Sequence, residues 1–373
     1  MSPLALSLAS SEDDPDLRLL LRENPMPGRI QVTLEREPNF FVGANVEGPF
    51  HQTILVRDAD TRQVLALLTR SVRQVYVNGQ PSSLGYLSQM RIAPGYRSMR
   101  RAMSQVGGML HQLHQDGRTT LYLNSIIADN LPARRLLTAG LPGLPRLHEY
   151  ARYHTLAIYT RRPRRTLPLP AGLRIEQGLS QHIPAILDCL SRNGRRYQFA
   201  PVWTGDNLFH PVHTPGLRCE DFWLALDNSK VVGCVALWDQ TSFKQTVVRG
   251  YAGWLARTRH LINASSFITG LPKLPAPDQP FRFCFASHLA VDRDNPEIFS
   301  SLIRKIYNTA VSRQYAYFML GLAEEHPLLA QARSSYAHID YASQFYLSGW
   351  DENIQPLLTA VSTRPPGLEA CLL

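Results

Sequence analysis

Arg97, Arg100 and Arg101 stand at the mouth of a predicted helix, directly behind the loop Ala93-Pro94-Gly95-Tyr96. This is an arrangement for phosphate: the first turn of a helix carries unpaired amides and the positive end of its dipole, and guanidinium groups add charge-assisted hydrogen bonds. Further on, Asn130 precedes a second predicted helix opened by Pro132. Its side chain suits either a ligand or the cap of that helix. The histidines are weaker candidates. His210-Pro211-Val212-His213 sets two imidazoles three residues apart, but Pro211 disfavours a helix and no nearby Cys or acidic ligand completes a metal site, so none is assigned. His111 and His114 fall on the helix behind the loop and are assigned no role as bases, and His288 reads as a hydrogen-bonded core histidine. Tyr197, Phe199, Trp203 and Phe209 read as core aromatics.

Strands and turns must hold these groups. His51 to Val56 and Gln63 to Thr69 are strand-like runs joined by Asp58-Ala59-Asp60-Thr61, and further strands flank the Asn78-Gly79 turn. The run Leu84 to Ile92 leads into the basic loop. Behind it Met103, Val106, Met109, Leu110 and Leu113 recur at spacings of three and four, the apolar face of a helix. Thr119 to Ile127 reads as a strand and Asn130 to Thr138 as a helix. The same order then recurs: Phe222 to Leu226, a turn at Asp227-Asn228-Ser229, Val231 to Trp238, a strand over Phe283 to Val291, a helix capped by Asn295 and opened by Pro296, and a strand over Tyr315 to Leu322. The hairpins correspond at an offset near 168 and the strand-helix units near 199, which places about 30 extra residues around 242 to 280.

The segment Met90-Arg91-Ile92-Ala93-Pro94-Gly95-Tyr96-Arg97, the helix behind it and Asn130-Leu131-Pro132-Ala133 resemble the GNAT family of N-acetyltransferases. The resemblance implies an α/β fold of two tandem GNAT-like domains, each a mixed, mostly antiparallel sheet flanked by helices. It also implies acyl transfer from acetyl-CoA or another acyl-CoA to an amine. Cofactor-binding residues carried over from it are Met90, Ile92, Tyr96, Arg97, Ser98, Met99, Arg100, Arg101, Ala102 and Asn130. The family's Arg/Gln-x-x-Gly-x-Gly/Ala loop aligns with Arg97-Ser98-Met99-Arg100-Arg101-Ala102, with Arg100 in place of the first glycine. Leu137 stands where the family often has a tyrosine acid, and Tyr86-Leu87-Ser88-Gln89 lacks the carboxylate its strand often carries, so a base must come from elsewhere or through water. In the second copy Asp292-Arg293-Asp294 replaces the basic loop and Leu329 replaces Asn130, which fits a support or acceptor-binding role.

The expected organisation is an N-terminal tail over 1–16, a first domain over 17–160 with its own sheet, a linker over 161–171, a second domain over 172–352 with a separate sheet, and a C-terminal tail over 353–373. The linker Arg161-Arg162-Pro163-Arg164-Arg165-Thr166-Leu167-Pro168-Leu169-Pro170 reads as a solvated connector. Its 373 residues suit two domains. Residues 1–170 hold 21 Lys and Arg against 13 Asp and Glu, and the remainder 18 against 17, so the first half suits a polyanion. Coenzyme phosphates and an acidic acyl carrier protein both qualify as donors. Nucleic acid is disfavoured because the arginines are dispersed through periodic apolar segments. A non-catalytic ligand-binding or regulatory protein of the same fold is the alternative from another class. No apolar run reaches the roughly 20 residues of a membrane span, and the N-terminus lacks the charge order of a secretory signal. Five cysteines without a C-x-x-C pair suit a reducing cytoplasm.

Overall fold

The computed structural model describes residues 3–96, 99–170, 172–269, 272–350, 354–361 and 364–373. The first copy runs β1 (Leu4–Leu8), α1 (Asp14–Arg22), β2 (Ile30–Glu35), α2 (Phe40–Glu47), β3 (Phe50–Asp58), β4 (Val64–Val77) and β5 (Gln80–Ile92). It continues through α3 (Met99–His114), β6 (Tyr122–Ile127), α4 (Leu131–Leu137) and β7 (Arg146–Tyr159). The second copy begins with β8 (Leu173–Gln177), α5 (Ile183–Gly194), β9 (Phe222–Asp227), β10 (Lys230–Trp238), β11 (Gln245–Tyr251) and α6 (Trp254–Thr269). It ends with β12 (Phe283–Val291), α7 (Pro296–Ser312), β13 (Tyr317–Ala323), α8 (Leu329–Ser335), β14 (His338–Gly349) and α9 (Ile354–Ala360).

The two copies do not form separate sheets. They share one twelve-stranded sheet in the order β1-β3-β4-β5-β6-β14-β7-β13-β12-β10-β9-β8. Inward from either edge the sequence of strands is the same, except that each copy takes its sixth strand from the other. Strand β14 pairs with β6 from Ser343–Ile127 to Ser348–Tyr122, and β7 pairs with β13 from Tyr153–Ala323 to Tyr159–Tyr317. The two exchanged strands pair with each other across the middle. In both copies the fourth and fifth strands, β5 with β6 and β12 with β13, run parallel, and the other neighbours are antiparallel.

The helices are laid down by their apolar faces. Ala102, Val106 and Leu110 of α3 are buried against Ile54 and Val56 of β3 and Ala66 and Leu68 of β4. Helix α7 buries Ile298, Phe299, Leu302, Ile303 and Ile306, each worth roughly 1.5–3 kcal/mol of removed apolar surface. The insertion supplies β11 and α6, and β11 pairs with β2 of the first copy, Val248 opposite Val32. The extra residues therefore tie the two copies together.

Three expectations need correction. Residues 1–16 are not a loose tail: β1 pairs with β3, and the Asp14 carboxylate accepts the Phe40 backbone N–H at 2.7 Å. Residues 364–373 are packed as well, with Cys371 and Leu372 1% and 5% exposed. The basic linker has no helix or strand but is no free connector. Arg164 lies over the rings of Tyr307 and Tyr336 at 5.1 and 5.0 Å and exchanges backbone hydrogen bonds with the Asn308 side chain.

Because each copy lacks its sixth strand without the other, the chain should unfold in one cooperative transition. Differential scanning calorimetry should give a single peak with calorimetric and van't Hoff enthalpies in agreement, and two resolved peaks would contradict the exchange.

Candidate active site

Strands β5 and β6 pair only from Gly85–Tyr122 to Leu87–Asn124. Beyond Leu87, β5 carries one extra residue against β4, and Gln89 takes a left-handed φ of +54°. A bulge of this kind bends its strand, and the two strands part. The loop that follows turns at Gly95, φ +81°, with the Tyr96 N–H bonded to the Ala93 carbonyl at 3.2 Å. Gly95 supplies a conformation that side-chain-bearing residues rarely adopt. Helix α3 then begins at Met99, so its first-turn amides stand directly behind the parting of the strands.

The expected cofactor residues divide. Met90, Ile92 and Tyr96 are partly buried against the α3–sheet cluster, and Ala102 within it is wholly buried. They hold the loop and helix in place. Arg100 and Arg101 are exposed and free to meet an anion. Arg97, Ser98 and the Met99 side chain lie outside the described residues. Asn130 caps α4, its Oδ1 accepting the Ala133 N–H at 3.2 Å. Of the histidines beside the loop, His111 stacks on Trp350 with centroids 5.4 Å apart, and the buried His114 places Nδ1 3.1 Å from the Tyr122 hydroxyl.

The carboxylate absent from β5 is delivered from α2. Glu47 is 1% exposed. Its Oε2 accepts the Ser88 hydroxyl at 2.5 Å, its Oε1 accepts Gln89 Nε2 at 3.1 Å, and Arg36 forms an ion pair with it. Both β5 partners sit at the bulge. Arg73 of β4 closes the end of α2, donating to the carbonyls of Glu47 at 2.9 Å and Val46 at 2.5 Å, where a cation meets the negative end of the helix dipole. Arg36 itself lies over Phe40 at 4.8 Å, and its buried Nη1 has no partner among the described residues. Burial and the Glu47 charge push the Tyr86 phenol well above its usual range. Sequence reasoning missed Glu47 because it lies far upstream of the strand it serves; its only signal was a carboxylate ending a short apolar helix.

The second copy has the same bulge at His288, φ +53°, 199 residues after Gln89. Its strands part after Ala286–Leu320. Here the opening is filled by the chain itself. Leu368 accepts the Tyr153 hydroxyl at 2.9 Å, Glu369 Oε2 accepts the His288 N–H at 2.9 Å, and a Cβ on Gly321 would meet the Ala370 Cβ at 2.7 Å. The two aspartates of the replaced loop are also engaged. Asp292 binds Arg192 and, at 2.8 Å, Asn193; Asp294 binds Arg196 and, at 2.5 Å, the Tyr197 hydroxyl. Of the four aromatics read ahead of this region, Tyr197 and Trp203 line the remaining cavity. Phe199 is buried core and Phe209 packs edge-on against Phe222 at 5.8 Å. His210 and His213 stack at 4.5 Å.

Lys244 joins the floor between the copies, Nζ donating to the carbonyls of Leu373 at 2.9 Å and Cys371 at 3.4 Å, and burial pushes its pKa down to about 8. Unfolded, the lysine keeps its proton to about pH 10.4. Between those values the unfolded chain binds more protons, so stability should rise with pH, by up to about 3 kcal/mol. Denaturant melts from pH 7.5 to 10 should show that rise, and Lys244→Met should flatten it. The buried pair gives a second test. Glu47→Ala strands the Arg36 charge and should cost about 3–5 kcal/mol, whereas Arg36→Met with Glu47→Leu should cost much less. Equal costs would show that Arg36 is solvated in the folded protein.

No protein-family model matches the chain, and no curated protein matches its sequence. Solved structures do match in shape. A GCN5-related N-acetyltransferase from Sphaerobacter thermophilus aligns over 100% of this chain and 99% of its own, with TM-score 0.56 and 12% identity. A Saccharomyces cerevisiae N-myristoyltransferase with bound myristoyl-CoA aligns over 94% and 80%, with TM-score 0.59 and 13% identity. A probable N-acyltransferase from Enterococcus faecalis aligns over 93% and 72%, with TM-score 0.52 and 11% identity. With the repeated strand order and the repeated bulge, these likenesses establish the fold alone, two GNAT-like units in tandem.

Proposed function

We propose that this chain transfers an acetyl or other acyl group from acyl-coenzyme A to an amine, and that the first copy holds the donor. The observation that carries the reading is the parting of β5 from β6 at the Gln89 bulge, immediately ahead of the α3 N-terminus. Exposed Arg100 and Arg101 add positive charge there, and the second copy's equivalent is filled by residues 368–370 and lined by aspartates. A parted strand pair suits an extended pantetheine arm bonding to strand edges, and helix amides suit its phosphates. Similarity to acyltransferases of known structure supports the same class. The five cysteines are all buried and unpaired, which supports a reducing compartment.

A bound acyl-coenzyme A would supply a thioester carbon. The chain's part is to orient the amine and take its proton. Ser88 donates its own proton to Glu47, so its oxygen keeps a lone pair for an ammonium N–H, and the proton can pass on to the carboxylate. The neutral amine then attacks the thioester carbon; as the C–N bond forms the C–S bond breaks, and the coenzyme leaves as a thiol that takes up the proton relayed through Ser88 and Glu47. Positioning and oriented amides lower the barrier, with no covalent enzyme intermediate.

Titration of the intact protein with acetyl-coenzyme A should show binding. Arg100→Glu with Arg101→Glu should weaken it at least tenfold, and Arg293→Glu should leave it unchanged; equal effects at both loops would place the donor in the wrong copy. Ser88→Ala keeps the Arg36–Glu47 pair and should lower kcat by about 10²-fold, with donor affinity unaltered.

A further inference from the structure

Helix α6 of the insertion presents a face that the rest of the fold does not use. It has no counterpart in the first copy, where β4 turns directly into β5. Leu255, Arg259 and Asn263, at spacings of four, mark the side that holds it to the protein. Leu255 is 8% exposed, Arg259 donates to the Pro275 carbonyl at 3.2 Å, and Asn263 exchanges hydrogen bonds with the Leu274 backbone at 2.8 and 2.9 Å. Trp254, Leu261 and Ile268 stand on another side, spaced by seven, and seven residues are close to two helical turns. They are 56%, 70% and 83% exposed. Ala264 continues the exposed stripe. Three large apolar side chains therefore project into water along about 21 Å of one helix, a row that soluble surfaces seldom carry without a partner.

Charge identifies the partner. Between Asp239 and Asp278 the sequence has five Lys and Arg and no Asp or Glu. Lys244 is taken up in the floor between the copies, and Arg249 pairs with Glu35 and Asp278. Exposed Arg257 and Lys273 and partly buried Arg259 meet no carboxylate among the described residues. Arg257 stands on the apolar stripe itself, three residues after Trp254, where its stem can lie along apolar surface while its head reaches an anion. A second copy of the chain would set these cations against their own like across a two-fold axis. A folded acidic protein would need a groove to receive side chains that stand out this far. An anionic bilayer takes them into its interface and meets the cations with its headgroups, and Trp settles at that depth. At 16 residues α6 falls short of the roughly 20 that a span needs and would lie along the surface. We propose that α6 docks this protein on an anionic membrane surface, with Trp254, Leu261 and Ile268 in the lipid interface and Arg257 and Lys273 on the headgroups. The docking holds whether or not the chain transfers an acyl group.

Co-sedimentation of the intact protein with vesicles tests this. Phosphatidylcholine vesicles containing about one third phosphatidylglycerol should bind it at least tenfold more strongly than phosphatidylcholine alone. Leu261→Ser with Ile268→Ser should cost at least tenfold in that binding, and so should Arg257→Glu with Lys273→Glu. All four side chains are exposed, so both variants should melt with the wild type. Equal binding to neutral vesicles, no binding to either kind, or binding unchanged in either variant overturns the proposal. Two rival occupants are read alongside. A wild-type dimer in sedimentation velocity that Leu261→Ser with Ile268→Ser makes monomeric, while vesicles fail to bind, gives the face to a second copy. Binding of an acidic acyl carrier protein that both variants lose, while vesicles fail to bind, gives it to an acidic protein. Either result overturns membrane docking.

Discussion

The pairing of β7 with β14, which runs from Ile158–His338 to Arg146–Gly349 with one shift of register between Phe345 and Tyr346, is the contact on which the rest depends. Each strand closes the other copy's half of the sheet, so the two halves have no independent edge there and the repeat becomes one folding unit. It also sets the path of the chain afterwards. Leaving β14 beside β6 of the first copy, the chain passes through α9 and returns at Pro365 and Gly367, which bond to the backbone of Gln198. It ends buried between β12 and β13. The exchange thus brings a segment from beside one cleft to fill the other.

That return needs close packing that only small residues allow. A Cβ on Gly367 would meet the Tyr197 Cβ at 2.5 Å, and one on Gly321 the Tyr153 hydroxyl at 2.2 Å. The charged floor beneath it is a different kind of constraint. Arg36 and Glu47 are removed from water, with Arg73 and Lys244 partly buried beside them, and such groups seldom repay their desolvation through mutual attraction. What they gain here is fixed geometry: Glu47 is held by partners on α2's own approach and on β5, so a carboxylate stands at the bulge in one orientation.

The sequence showed clearly what is local. The periodic face of α3, the Asn130–Pro132 helix start, the Asn295–Pro296 start and the repeat offset of 199 all reappear, the last in the paired bulges at Gln89 and His288. Alternation of apolar residues marks a strand but not its neighbour, so nothing in β7 or β14 revealed that they cross. Glu47 left little more than a carboxylate ending a short apolar helix, since its partners Ser88 and Gln89 are set by tertiary packing alone. The expected C-terminal tail contains Pro365-Pro366-Gly367, a composition that ends regular structure and yet permits a tight buried path.

The two copies show how one backbone device can be put to opposite uses. A bulge that parts two parallel strands opens a polar edge, and an open edge must be satisfied by something. In the first copy it faces a helix start flanked by exposed arginines, an environment that rewards an anion. In the second, Arg192 and Arg196 are consumed by Asp292 and Asp294, and the chain's own residues 368–370 supply the groups the edge demands. With that edge met internally, the space left over is shaped by the filling segment itself. Two copies of one backbone device thus differ by whether the open edge is left to the loop beside it or closed by the chain, while the fold that shapes it stays the same.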